Sequence, residues 1–83
     1  MRMTEKHLQK YNEALGTAIK QRRINLGLTL EDAESKGYTS WRHLQKVESG
    51  KNITIQTLVK VSYVLDCTPS DLLKDAEKNL TKK

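Results

Sequence analysis

Apolar residues recur every three or four positions along most of the chain, the spacing that places them on one side of an α-helix. The members of the first such series are Leu8, Tyr11, Leu15, Ala18, Ile19 and Leu26. Thr4 is a good N-terminal cap for this segment, and Gly27 suits its end because glycine readily adopts the left-handed conformation that closes helices. The pattern fits one long helix or two helices separated near Gly16.

Two short helices are predicted next. Thr29 can cap a helix that ends before Gly37. Thr39 or Ser40 can cap the following one, which we expect at Trp41–Glu48. No convincing alternation with a period of two, the pattern of β-strands, occurs among them.

Two longer helices complete the chain. The fourth follows possible caps at 52–54, and its series of inward positions is Ile55, Leu58, Val61, Ser62 and Leu65. The fifth begins with a strong signal, since Thr68 precedes Pro69 at the first helical position and Asp71 lies in the first turn. The sequence therefore predicts an all-α domain of five helices, with a frayed end at 81–83.

Composition agrees with a small folded domain and restricts its chemistry. Of 83 residues, 36% are hydrophobic and 30% are charged, a balance typical of globular chains. A domain of this size has little room for an enclosed active site. The single cysteine, Cys67, is expected to be a small buried hydrophobe. Neither a membrane-spanning apolar run nor a secretory signal is visible, so we expect a cytoplasmic protein without a membrane partner.

No group of residues has the pattern of a catalytic or metal site. The acidic residues Glu31, Asp32 and Glu34 are expected to form a solvated helix side that complements the helix dipole. His43 has no second histidine or paired cysteine nearby, so metal binding is not expected. All four glycines are expected at helix breaks rather than in a phosphate-binding loop. We therefore expect no enzymatic activity, cofactor or small-molecule substrate.

The centre of the chain and its charge indicate a polyanionic partner. The formal net charge of +5 favours DNA, RNA or an anionic membrane surface. Between Gly27 and Gly50, two short helices flank a turn, which is the form of a helix-turn-helix. Only Leu44 and Val47 of the second helix need to face the core. The side chains thereby left for base edges or phosphates are Ser40, Trp41, Arg42, Gln45 and Lys46.

These features resemble the lambda-repressor and Cro-like, or XRE-type, helix-turn-helix proteins. The resemblance covers about 15–73 and rests on an ordered set of fragments, namely Leu15-Gly16, Ile19, Arg22-Arg23-Ile24-Asn25-Leu26-Gly27-Leu28-Thr29, Leu44, Val47-Glu48-Ser49-Gly50-Lys51, Leu58, Val61 and Leu65. It implies a compact five-helix fold whose third helix enters the major groove of double-stranded DNA. It also implies a homodimer on a roughly palindromic operator, acting as a phage-like repressor, a restriction–modification controller or an antitoxin-type regulator. A protein of this kind is expected to be nucleoid-associated.

The resemblance implies residue roles by position. Arg23 matches an arginine that pairs inside the domain with the glutamate matched by Glu48. Positions that contact DNA in the family, or that flank or cap such positions, are occupied here by Thr29, Ser40, Trp41, Arg42, His43, Gln45, Lys46 and Lys51. The dimer is expected to form largely through apolar residues of the fifth helix, Leu72, Leu73 and Ala76.

Some features depart from the family pattern or leave alternatives open. Leu30 stands where a polar, phosphate-contacting residue is usual, and the small residue Ala33 and the turn glycine come one position early. Two other functions stay open: a helix-turn-helix scaffold that binds a protein through Trp41 and Leu30, and a nonspecific DNA binder. The family domain is expected at 13–75, with a helix end and tail at 76–83.

The helical extension at 1–12 has two possible roles. Its basic residues Arg2, Lys6 and Lys10 could reach the DNA backbone. Leu8 and Tyr11 could instead cover the core, and this is the role that we favour.

Overall fold

A computed structural model describes residues 4–51 and 53–81, and five α-helices account for most of them. The helices are α1 Glu5–Asn25, α2 Leu30–Ser35, α3 Trp41–Glu48, α4 Ile55–Val64 and α5 Pro69–Thr81. No β-strand occurs in the described ranges. The predicted all-α, five-helix fold is confirmed. None of these helices is long and apolar enough to cross a membrane.

Each helix begins at a hydroxyl side chain that accepts a hydrogen bond from a backbone amide of the first turn. These capping residues are Thr4, Thr29, Ser40, Thr54 and Thr68. The first amides of a helix have no partner within it, so each cap satisfies a donor that would otherwise lack one. Asp32 and Asp71 return the bond to the backbone amide of their capping threonine, which closes a reciprocal capping box on α2 and on α5.

The first helix runs unbroken past Gly16, so the expectation that every glycine marks a helix break is wrong at this position. Gly16 lies against the carboxyl end of α3. A Cβ atom there would lie 2.5 Å from the carbonyl oxygen of Glu48 and 2.8 Å from that of Val47. Glycine therefore lets two helix backbones approach closely. Gly27 and Gly50 do follow helix ends, with φ angles of +74° and +88°.

One apolar core joins all five helices. Its buried members are Leu15, Ile19, Ala33, Tyr38, Leu44, Val47, Leu58, Val61, Val64, Leu65, Leu72 and Ala76. α1 packs most extensively on α5, while α3 packs on both α1 and α2. The core thereby fixes the positions of α2 and α3 relative to α1.

Residues 4–12 form the beginning of α1. Tyr11 is half-buried against the core, and its hydroxyl donates to Glu77 Oε2 of α5 at 3.2 Å. Leu8 is 52% exposed, so of the two residues expected to cover the core only Tyr11 does so. Predicted roles that lie outside the described residues are those of Arg2, Asn52 and the tail at 82–83.

Candidate nucleic-acid interface

The third helix has one buried and one exposed side. Leu44 and Val47 are buried, as predicted. The exposed residues of the same helix are Arg42, His43, Gln45 and Lys46, while Trp41 and its cap Ser40 are half-buried. Arginine, lysine and glutamine are the donors that commonly contact base edges and phosphates of DNA. The outer side of α3 therefore presents suitable groups on one continuous surface.

The beginning of α3 places an arginine against a tryptophan. Ser40, rather than Thr39, caps the helix, and its Oγ accepts from the amides of Arg42 at 3.2 Å and His43 at 3.4 Å. In the first turn, the guanidinium carbon of Arg42 lies 5.3 Å from the ring centroid of Trp41. A cation–π contact of this kind restricts the guanidinium while leaving its N–H groups free to donate.

A side-chain hydrogen bond joins α3 to the turn that precedes it. Tyr38 is buried in the core, and its hydroxyl oxygen lies 2.7 Å from Nδ1 of His43. The two rings stack with centroids 5.7 Å apart and planes inclined by 27°. Burial raises the pKa of Tyr38, so its hydroxyl keeps the proton. His43 is thus held on the exposed end of α3 by a residue of the core.

An ion pair holds α3 relative to α1. Arg23 Nε donates to Glu48 Oε2 at 2.7 Å, and Nη2 donates to Oε1 at 3.1 Å. The remaining guanidinium nitrogen, Nη1, donates to the carbonyl oxygen of Leu28 at 2.7 Å. The two side chains are only 10% and 6% exposed. Because such bidentate bonds are strong and directional, this pair defines how the end of α3 meets the end of α1.

The residues around α2 differ in what they offer to a phosphate. Hydrogen bonds from the backbone and hydroxyl of Thr29 lower the pKa of Asp32, so a carboxylate occupies the beginning of α2 and engages the Thr29 amide. Leu30 is half-buried against the core, so only part of it is left for the outward apolar surface of the protein-binding alternative. Lys51, after the end of α3, is exposed.

The residues assigned to a dimer contact lie mostly inside the molecule. Leu72 and Ala76 are fully buried in the core, and Leu73 is half-buried against it. Leu72 and Ala76 are covered by the rest of the same chain, so a second copy could not reach them without unpacking α5. The assignment of Leu72 and Ala76 to an intermolecular surface is therefore corrected.

An apolar stripe on α4 was missed by sequence reasoning. Ile55, expected in the buried series, is 75% exposed, and Val59 and Tyr63 are 50% and 84% exposed. The three residues are four positions apart and therefore lie on one side of the helix. Their spacing was visible in the sequence, but it could not show which apolar residues of α4 would be covered.

Other reactive groups in the described part of the chain do not form a site. Residues 4–51 and 53–81 contain no cluster of three or more histidine, cysteine, aspartate or glutamate side chains that could hold a metal ion. Cys67 is half-buried against the core. Burial raises the pKa of its thiol, which suits the expected role as a small apolar residue.

Comparisons with known proteins agree with this geometry. A family model described as helix-turn-helix matches residues 19–72, a range that includes all of α2, α3 and α4. The crystal structure of the clp gene regulator ClgR from C. glutamicum is similar to this chain, with a TM-score of 0.79 and 27% sequence identity over 88% of this chain and 96% of that one. A comparison with curated protein sequences finds no match. The chain belongs to the XRE-type helix-turn-helix family of DNA-binding proteins.

Proposed function

We propose that this protein is a sequence-specific transcriptional regulator that inserts α3 into the major groove of operator DNA. The observation that carries the proposal is the exposed polar side of α3, held at a defined angle by two buried apolar residues and by the Arg23–Glu48 ion pair. The similar structure is that of a gene regulator, which supports the same role here. Bound protein would exclude polymerase from a promoter, so repression would follow protein concentration.

The exposed groups of α3 divide by their chemistry. Arg42, restricted by its contact with Trp41, suits the two acceptors that guanine presents in the major groove. Gln45 can pair in the same bidentate way with adenine. Lys46 and Lys51 are exposed point charges suited to phosphates beside the groove.

A homodimer is the second part of the proposal, and the apolar stripe of Ile55, Val59 and Tyr63 is the surface that we assign to it. A two-fold interface uses the same patch on both copies. The stripe can pair with its own copy in this way because Val59 lies midway between Ile55 and Tyr63. Two α4 helices crossing in antiparallel directions would place Val59 opposite its own copy and Ile55 opposite Tyr63.

The size of the stripe indicates how strong such a dimer would be. The three residues expose roughly 400 Å², which is within the size range of the largest apolar patch on a typical monomer, a patch that is often functional. Stable complexes bury about 800 Å² per partner, so the stripe supplies about half of that area. We therefore propose a weak dimer in solution that assembles fully on its operator, where the two half-sites hold both copies close together.

The proposal is tested by selecting bound sequences from a random DNA pool at near-physiological salt, with Arg42→Ala in parallel. We expect a roughly palindromic consensus from the wild type. In the variant, preference should relax by about ten-fold at the base that Arg42 contacts. Lys74→Ala, which removes the same charge from an exposed position of α5, is the matched control and should select the wild-type consensus.

Two outcomes would contradict sequence-specific regulation. Binding that falls steeply with salt but enriches no sequence would identify a nonspecific DNA binder. Failure to bind any DNA, even at low salt, would favour a protein-interaction module.

A further inference from the structure

The hydrogen bond between Tyr38 and His43 has a consequence for base recognition. We propose that Tyr38 holds the His43 imidazole in the tautomer with its hydrogen on Nε2, so that His43 reads guanine in the major groove. The inference rests on the proposed function, because it needs α3 to lie in that groove. His43 would then be a specificity-determining residue and Tyr38 its positioning residue.

The tautomer follows from where the phenolic hydrogen of Tyr38 can go. Tyr38 is 5% exposed, and in the described part of the chain Nδ1 of His43, at 2.7 Å, is the hydrogen-bond partner of its hydroxyl. If the hydroxyl donates, Nδ1 is the acceptor and the neutral ring carries its hydrogen on Nε2. The other tautomer would donate from Nδ1 and leave the phenolic hydrogen without that acceptor, which is unfavourable for a buried group.

Stacking restricts the orientation of the ring as well as its hydrogen. The His43 ring lies against the Tyr38 ring at 5.7 Å and 27°, and Tyr38 itself is anchored in the core. His43 as a residue is exposed, which leaves the part of the ring that does not face Tyr38 open to a ligand. The donor is therefore set before DNA binds, and little ordering is needed at the moment of contact.

One fixed donor distinguishes the bases by what they present in the major groove. Guanine offers two neighbouring acceptors, N7 and O6, whereas cytosine offers an amino donor. A fixed N–H on Nε2 can bond to guanine and meets a second donor at cytosine. An imidazole free to exchange tautomers could instead accept from cytosine. Loss of the Tyr38 hydroxyl should therefore broaden the preference at this position.

The experiment compares four proteins in the same random-pool selection: wild type, Tyr38→Phe, His43→Ala and the double variant. We expect guanine at one position of each half-site in the wild type. Discrimination against cytosine there should fall about ten-fold in each single variant and no further in the double variant. Tyr11→Phe is the matched control, since it removes a tyrosine hydroxyl bonded to Glu77, and it should not change the consensus.

Nitrogen-15 NMR of the free protein reports which nitrogen of the His43 ring carries the hydrogen. If Tyr38 had only a structural role, its substitution would not change this tautomer. The wild type should carry the ring hydrogen on Nε2, and Tyr38→Phe should show both tautomers. This measurement on the wild type decides the tautomer even where Tyr38→Phe does not fold.

Several results would overturn the inference. A wild-type ring with its hydrogen on Nδ1 would do so, as would further loss of discrimination in the double variant. Equal weakening of all sequences by His43→Ala would show that His43 contacts phosphate instead. A wild type that selects no sequence would overturn the proposed function and the base reading together, while the NMR spectrum would still report the tautomer.

Discussion

At Gly16 the backbone of α1 lies so close to the end of α3 that no side chain can stand between them. Within a helix, glycine is less favourable than alanine by roughly 0.5–1 kcal/mol, which is why the sequence alone suggested a break at this position. The close approach of α1 to α3 explains why glycine is nevertheless present here. A Cβ atom would lie 2.5 Å from a backbone carbonyl oxygen that cannot move without displacing α3.

We expect Gly16→Ala to destabilise the fold. The usual helix gain of alanine would be outweighed by crowding against the α3 backbone, which typically costs about 1–3 kcal/mol. Urea unfolding measures the difference. Thr17→Ala, at the exposed neighbouring position of the same helix, should change stability by less than about 0.5 kcal/mol. A Gly16→Ala protein as stable as the wild type would show that the two helices separate readily.

The two arginines at the end of α1 should differ in what their partners contribute. Glu48→Ala leaves Arg23 buried without its carboxylate and should cost about 3–5 kcal/mol of unfolding free energy. Asp75→Ala breaks the pair with Arg22, also 2.7 Å long but about one-third exposed, and should cost no more than about 1 kcal/mol. Equal losses in denaturant unfolding would contradict this ordering.

At the scale of the helices, the ends were the most predictable features. Thr4, Thr29 and Thr68 cap the helices that the sequence assigned to them. A cap depends on residues no more than three positions apart, so the signal is complete in the local sequence. The choice between Thr39 and Ser40 was not settled in this way, because both are good caps, and the structure shows that Ser40 caps α3.

The capping box of α5 predicts a dependence of stability on pH. Hydrogen bonds from the backbone and hydroxyl of Thr68 lower the pKa of Asp71. The ionised Asp71 carboxylate therefore contributes fully to folding stability above its unfolded-state pKa of ~3.9. This contribution is lost as the pH falls through the lower folded-state pKa. Asp71→Asn should melt below the wild type near neutral pH. The two melting temperatures should begin to converge as the pH falls below about 4 and should meet below the lowered folded-state pKa.

Circular dichroism melts of both proteins over this range make the comparison. The second capping box, at Thr29 and Asp32, is present in both proteins and cancels in the difference. A gap in melting temperature that stayed constant with pH would mean that the charge of Asp71 does not contribute.

At the scale of the whole molecule, the exposed stripe on α4 predicts how two copies occupy an operator. Tyr63→Gln should leave folding unchanged, since Tyr63 is 84% exposed, but should remove cooperative binding. We expect about ten-fold weaker binding to a full operator and unchanged binding to an isolated half-site. Gel-shift titration and sedimentation on DNA measure both. Ile24→Gln, which also replaces an exposed apolar side chain by glutamine but lies on α1, is the control.

A Tyr63→Gln protein that still binds the full operator cooperatively would contradict the assignment of the dimer surface to α4. It would leave the DNA contacts of α3 unaffected, because those contacts are tested by Arg42→Ala.

The order of residues was sufficient to predict the five helices, most of their caps, the buried pair Leu44 and Val47 on α3, and the family of the chain. These features depend on spacing within a few residues, which is visible in a linear sequence. The tertiary structure was needed to show that Gly16 lets α1 and α3 approach closely and that Leu72 is covered. It also decided that the α4 stripe is exposed. Helical periodicity shows that one side of a helix is apolar, but its coverage depends on contacts between residues far apart in the chain.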